Sequence, residues 1–253
     1  MIVHVGNIKK EKFKETVVRK SNKLRILFVF LLIFLPLIVY FPFHWKWFSS
    51  GPVVRQNVLE AVANVRTAEG TGTAFLVGNK RLLTAGHVVQ NLNIGDKVDL
   101  VFEKANPKIT TQASVIWKSN RDLNDPANYQ YDAAVLELTR PSDIPSDFSR
   151  LSIGSSANTT IGEHIIVIGF PSGLFSRTEG VISNDRINNL ELFQFDAGSW
   201  PGNSGGPLVK KEGNDVIGIN VAGFQGPFQG INMACKIDIV VGEIKKAGID
   251  INL

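Results

Sequence analysis

The chain has 253 residues, 44% of them hydrophobic and 20% charged, with 23 glycines and a formal net charge of +4. This is the composition of a globular chain with enough apolar material for one large domain or two small ones, and it excludes disordered and collagen-like classes. The charge is unevenly spread: the first 25 residues hold eight basic and two acidic groups, leaving 19 basic and 21 acidic groups in the rest, so the globular part has no basic excess for nucleic acid and no such partner is expected.

Residues 1–25 form a basic tail, expected on the cytoplasmic side. Residues 26–43 then run without a charged side chain. At about 1.5 Å per residue such a run crosses a bilayer core of roughly 30 Å. Tyr40, Trp45 and Trp47 stand where an aromatic belt would meet the membrane surface, and His44 is read as interfacial filler among them. The basic side precedes the span, so the positive-inside rule directs everything after it to the extracytoplasmic side, periplasmic or extracellular. A cleaved signal peptide is the alternative. The long basic leader, the long apolar run and the lack of a small-x-small site in Trp45-Lys46-Trp47-Phe48-Ser49-Ser50-Gly51 favour a retained transmembrane anchor.

Residues 44–68 read as a linker and arm, with Val53 to Ala68 either helical or irregular. Short strands separated by turn residues follow. Thr73 to Val77 and Arg81 to Thr84 flank Gly78-Asn79 as a hairpin, and Lys97 to Phe102, Ala113 to Lys118 and Ala133 to Leu138 continue the pattern. Arg140 to Arg150 reads as a joint. The second half has strands at His164 to Phe170, Gly180 to Ser183, Leu190 to Asp196, Pro207 to Lys211, Val216 to Val221 and 231–236, then an amphipathic helix at Ile237 to Ala247. Many short strands at near-regular spacing predict an all-β sandwich or pair of barrels. The lone Cys235 excludes an intramolecular disulfide. With no CxxC or histidine cluster beside it, it reads as a buried small hydrophobe.

Three segments carry chemistry. Leu83-Thr84-Ala85-Gly86-His87-Val88-Val89 ends a strand in small residues and sets a histidine at the turn. Tyr131-Asp132-Ala133-Ala134-Val135-Leu136 opens an apolar strand with an aspartate. Gly202-Asn203-Ser204-Gly205-Gly206-Pro207-Leu208 holds a serine in a tight glycine turn before another strand. Each alone reads as structural: a satisfied histidine, a capping aspartate, a loop. Together they supply what amide hydrolysis by serine requires. An imidazole takes the hydroxyl proton, a carboxylate fixes the imidazole, and glycine-rich backbone aims N–H groups at the developing oxyanion. His164 reads as a solvent-facing strand residue, Asp196 as a loop or strand-end residue, and no metal site or cofactor is expected.

These segments resemble trypsin-like serine proteases of the chymotrypsin fold, and within them the HtrA/Deg branch. Thr71-Gly72-Thr73-Ala74-Phe75, Ile168-Gly169-Phe170-Pro171-Ser172-Gly173, Glu179-Gly180-Val181-Ile182-Ser183 and Gly230-Ile231-Asn232-Met233-Ala234 extend the likeness over roughly residues 70 to 247. The resemblance implies a protease domain at 69–253. Two six-stranded barrels, at about 69–140 and 150–236, are followed by a helix at 237–247. His87 and Asp132 come from the first barrel and Ser204 from the second, with an oxyanion hole from the N–H groups of Gly202 and Ser204. It further implies a primary substrate pocket lined by Gly198, Ser199, Trp200, Val221, Ala222 and Gly223. That pocket is neutral, so small or medium aliphatic side chains are expected before the scissile bond. Two departures are visible. The chain ends soon after the helix, so the family's common PDZ domain is not expected. Asn203 stands where the digestive branch has an aspartate paired with a newly cut N-terminus. The expected function is a membrane-anchored endopeptidase acting on proteins or peptides, in envelope quality control or regulated proteolysis. The alternative is a catalytically silent protease-fold binding module on the same anchor. Oligomeric state is left open.

Overall fold

The structure, a computed structural model, describes residues 56–223 and 230–252, all within the compact unit Val54–Leu253. The predicted tail and anchor lie outside the described residues. Among the described residues no helix is long and apolar enough to cross a membrane.

A short helix α1 (Gln56–Glu60) leads into twelve strands: β1 (Val62–Thr67), β2 (Gly70–Leu76), β3 (Arg81–Thr84), β4 (Lys97–Phe102), β5 (Ile109–Lys118), β6 (Ala134–Leu138), β7 (His164–Gly169), β8 (Ser176–Asn184), β9 (Leu192–Phe195), β10 (Pro207–Lys210), β11 (Val216–Gly223) and β12 (Asn232–Lys236). Helix α2 (Ile237–Lys246) follows. The strands close into two six-stranded antiparallel barrels, ordered β1-β2-β3-β6-β5-β4 and β7-β8-β9-β12-β11-β10. The two rings have the same connectivity, shifted by six strands. The all-β reading with two barrels and a terminal helix holds.

Strand periodicity explains the layering. Successive side chains point to opposite faces. In β7, Ile165 and Val167 enter the second barrel with Phe193, Phe195 and Leu208, while Ile166 and Ile168 face outward. They meet Phe75, Leu83 and Val135 of the first barrel in a cluster shared by both. The neighbours of those residues, Ala74, Leu76, Leu82, Ala134 and Leu136, fill the first barrel instead. A strand buried on both faces reads as a continuous apolar run, which is why these segments show little alternation.

β1 corrects the reading of residues 44–68, since the first barrel opens there with a strand. Val62 joins the shared cluster, Ala63 and Val65 fill the barrel, and Asn64 between them is fully buried. Two small or polar positions inside a doubly buried strand remove the periodic signal. α2 closes the shared cluster with Ile237, Val240 and Ile244, spaced for one helix face. Asp238 in its first turn accepts from Ser155 Oγ at 3.1 Å and from Ser156 Oγ and Ala157 N at 2.9 Å. Burial pushes its carboxyl upward, but these hydrogen bonds outweigh that and hold it below the usual carboxylate range.

Candidate active site

β3 ends at Thr84, and the chain turns through a 3₁₀ segment, Gly86–Val89. Space at Gly86 is tight: a Cβ there would lie 3.0 Å from Asp132 Oδ1 and 3.1 Å from the Ala133 carbonyl oxygen and would press on that carboxylate. With no side chain in the way, both oxygens of Asp132 engage the one histidine. His87 N–H donates to Oδ1 at 2.9 Å, and Nδ1 lies 2.6 Å from Oδ2. This places the ring proton on Nδ1 and leaves the Nε2 lone pair free to accept. The Asp132 side chain is 5% exposed and that of His87 32%, so the carboxylate is shielded while the ring edge reaches the cleft.

Asp132 is itself held from below. It ends a 3₁₀ segment, Pro126–Tyr131, whose first turn is capped by Asp125 accepting from Ala127 N at 2.9 Å. Cys235 on β12 donates its thiol to the Tyr129 carbonyl at 2.9 Å and lies 3.5 Å from that of Asp132. Burial, then the charge of Asp132, pushes the Cys235 thiol well above its ordinary range, so it stays a donor. The expectation of a buried small residue holds, but it misses this bond between barrels.

Ser204 lies in the connection between β9 and β10. Five consecutive carbonyls there are each held by a donor. Trp200 O accepts from Asn203 N at 2.9 Å, Pro201 O from Ser172 N at 3.1 Å, Asn203 O from Gly206 N at 2.9 Å and Ser204 O from Thr73 N at 2.8 Å. Gly202 O accepts from Thr73 Oγ1 at 2.7 Å. The amides behave differently. Those of Asn203, Gly205 and Gly206 donate, Gly205 to Asn220 O at 2.8 Å. Those of Gly202 and Ser204 donate to no described residue, nor does the Ser204 hydroxyl. Gly202 (φ +103°) and Gly205 (φ +84°) sit where L side chains rarely go. A Cβ on Gly205 would collide with Thr73 O and Thr84 Oγ1 and approach Ala85 N to 2.8 Å. The residue after Ser204 therefore packs against the residue two before His87. The arrangement brings a loop with a hydroxyl and two unpartnered amides against the turn that carries an acceptor nitrogen backed by a carboxylate. That is the set needed to form and stabilise a tetrahedral oxyanion.

The predicted pocket segments lie beside this loop. Asn220 Nδ2 donates to Ser199 Oγ at 2.8 Å, Thr178 Oγ1 to Gly198 O at 2.7 Å and Asn232 Nδ2 to Ala197 O at 2.8 Å. Trp200 is 45% exposed. Its indole covers Gly198 so closely that a Cβ on the glycine would lie 2.6 Å from the ring. Val221 and Ala222 line a pocket of about 180 Å³ with His87, Gln90, Leu123, Tyr129 and Asp132. Gly223 lies near Ser199, a Cβ on it being 3.8 Å from the Ser199 carbonyl oxygen. Asp196 turns away and accepts from Val181 N at 2.7 Å. His164 is exposed at the start of β7, and no cluster of metal-ligating side chains occurs among the described residues.

Sequence reasoning missed Thr73 and Ser172 as loop anchors and Asn220 as a brace. The signal for Thr73 and Asn220 was polarity inside strands whose neighbours are apolar; Ser172 carried none, because it acts through its backbone.

The family model for the trypsin-like peptidase domain matches residues 72–219, more than half of the chain. A protein of Hahella chejuensis described as a probable periplasmic serine endoprotease, DegP-like, is 29% identical over 218 residues, spanning 82% of this chain and 41% of that one. A protein of the same description from Pseudomonas savastanoi pv. phaseolicola is 28% identical over 196 residues, spanning 72% and 36%. The chain thus spans about two-fifths of the length of these relatives. Among solved structures, the HtrA-type protease AlgW with tripeptide superimposes with a TM-score of 0.61 at 28% identity, covering 77% of this chain and 63% of that one. A serine-to-alanine mutant of Rv3671c from M. tuberculosis H37Rv, in its inactive form, shares the fold, with a TM-score of 0.57 at 21% identity over 76% of this chain and 88% of that one.

Proposed function

The chain belongs to the trypsin-like peptidase domain family, and from that premise we propose that it is an HtrA-like serine endopeptidase with His87, Asp132 and Ser204 as its catalytic triad. The observation that carries this reading is the 2.6 Å contact between His87 and Asp132 beside a serine loop with every carbonyl from 200 to 204 engaged and the Gly202 and Ser204 amides donating to no described residue. His87 Nε2 takes the Ser204 proton as Oγ attacks the substrate carbonyl carbon. Negative charge moves to the carbonyl oxygen, toward those two amides. The imidazolium, stabilised by Asp132, returns the proton to the departing amine as the C–N bond breaks. Water then repeats the cycle on the acyl-enzyme and frees Ser204.

Substrates are proteins or peptides, and the primary pocket is the crevice flanked by Gly198, Ser199 and Trp200 on one side and Val221, Ala222 and Gly223 on the other. It contains no carboxylate among these six residues, so small or medium aliphatic side chains fit it best. Residues 26–43 anchor the chain, with the protease domain on the extracytoplasmic side. The uncharged run flanked by basic residues and tryptophans supports this, as do relatives described as periplasmic. A role in envelope protein quality control or regulated proteolysis follows from that address.

Reaction of the purified full chain with a fluorophosphonate probe tests the chemistry. Covalent labelling that maps to Ser204, together with peptide cleavage, is expected. A chain that folds but neither labels nor cleaves would be the silent binding module. For the anchor, the full chain should stay with membranes after alkaline carbonate extraction, and release into the supernatant would remove that part of the reading.

A further inference from the structure

Thr73 is a residue of the first barrel with three hydrogen bonds, made by two of its atoms, to the second. Its hydroxyl donates to Gly202 O at 2.7 Å and accepts from Phe170 N at 3.1 Å. Its backbone N–H donates to Ser204 O at 2.8 Å. Its own carbonyl accepts from Thr84 Oγ1 at 2.7 Å, which ties it to β3 three residues before His87. Thr73 and Thr84 are both fully buried, so water does not substitute for any of these bonds.

We propose that Thr73 is the positioning residue of the oxyanion hole, setting the direction of the Gly202 and Ser204 amides from across the barrel interface. The inference rests on the protease reading above. The Gly202 carbonyl begins the Gly202–Asn203 peptide and the Ser204 carbonyl ends the residue that carries the nucleophile, so Thr73 grips the loop on both sides of Asn203. The Ser204 amide lies between the two gripped carbonyls and the Gly202 amide on the same residue as the first of them, so holding both carbonyls restricts the rotation of each. Donors that are already aimed need no reorganisation when charge develops. A buried hydroxyl that both donates and accepts does this with one side chain, and its chain neighbours on β2, Gly72 and Ala74, have no group that could. Thr73 touches no reacting atom, and its effect is confined to the transition state.

The test compares Thr73→Val and Thr73→Ser in the purified full chain. Valine keeps the shape and removes the hydroxyl, whereas serine retains it. Thr73→Val should lower kcat by about 10²-fold, the scale of losing one oxyanion donor, with KM within about threefold. Affinity for a peptide boronate, which becomes tetrahedral on Ser204, should fall in parallel with kcat, while affinity for the cleaved product peptide is kept. Thr73→Ser should recover most of the rate. A folded Thr73→Val enzyme with wild-type kcat would overturn the proposal, as would equal losses of boronate and product affinity. Should Thr73→Val fail to fold, Thr84→Val carries the test. It loosens Thr73 by one bond, and a smaller fall in kcat with parallel boronate loss supports the proposal, while an unchanged kcat overturns it. A wild-type chain that does not label with fluorophosphonate would instead overturn the protease reading itself.

Discussion

The two barrels have identical strand order, yet they contribute opposite kinds of chemistry. His87 lies in the connection between the third and fourth strands of the first barrel, and Ser204 in the corresponding connection of the second. The first barrel makes that connection a tight 3₁₀ turn and presents a side chain locked to a carboxylate. The second makes it a glycine loop and presents backbone amides. Both barrels shift register between their fifth and sixth strands, at Val115/Trp117 and at Asn220/Ala222, and there too the outcomes diverge. One leads to Asp132, and the other sets Val221 and Ala222 in the wall of the pocket that His87 also lines. Topology therefore fixes where function can be placed, while local sequence decides whether a connection offers side chains or main chain.

If the division of labour is right, removing the nucleophile should have the largest effect. Ser204→Ala should reduce kcat by about 10⁶-fold and abolish fluorophosphonate labelling, with an unchanged melting temperature. Unaltered turnover in a purified variant would end the comparison at once. On the other barrel, Asp132→Asn should lower kcat by about 10⁴-fold with KM little changed, because the wrong histidine tautomer is then favoured. A loss confined to KM would mean that Asp132 shapes the cleft instead. Trp200→Ala, which uncovers Gly198, should raise kcat/KM for a peptide with phenylalanine before the scissile bond by about tenfold relative to alanine at that position. A library profile that does not move would show that the indole stands outside the pocket.

The smallest effect concerns acid. The carboxylates held below their usual range among the described residues all belong to the second half. Lys211 and then Arg177 lower Glu179, Lys236 lowers Glu191, and Asp238 and Glu243 lie on α2. A depressed carboxylate adds stability that is complete above its unfolded-state value and is lost as pH falls through the lower folded value. Below about pH 4, amide exchange should therefore quicken in β8, β9 and β12 before β3 to β6. These pairs are partly exposed, so the difference should be modest and should shrink with salt. Simultaneous loosening of both barrels would mean that other groups set the acid response.

Much of this was legible beforehand, for physical reasons. Tight turns demand glycine and small residues, so Ala85-Gly86-His87 and Gly202-Asn203-Ser204-Gly205-Gly206 stand out locally. β4 matched its predicted bounds, Lys97 to Phe102, because it alternates between exposed and buried positions through its first half. β1 did not register, because both its faces are buried and its small and polar positions erase the period. Thr73 and Cys235 were seen without their roles, since each acts through a bond to the opposite barrel, more than a hundred residues away in sequence. Long-range partners of that sort leave no mark on their own neighbourhood.

Cys235 is the chain's one thiol, and it is fully buried with its hydrogen spoken for. A maleimide or a disulfide reagent therefore finds nothing to attack until β12 and the Tyr129 turn move apart. The rate at which the native protein consumes such a reagent is then a clock for transient parting of the two barrels, read at single-residue resolution without any engineered label. The same seclusion makes the natural sequence a ready background for attaching one dye or spin label through a cysteine introduced on the surface.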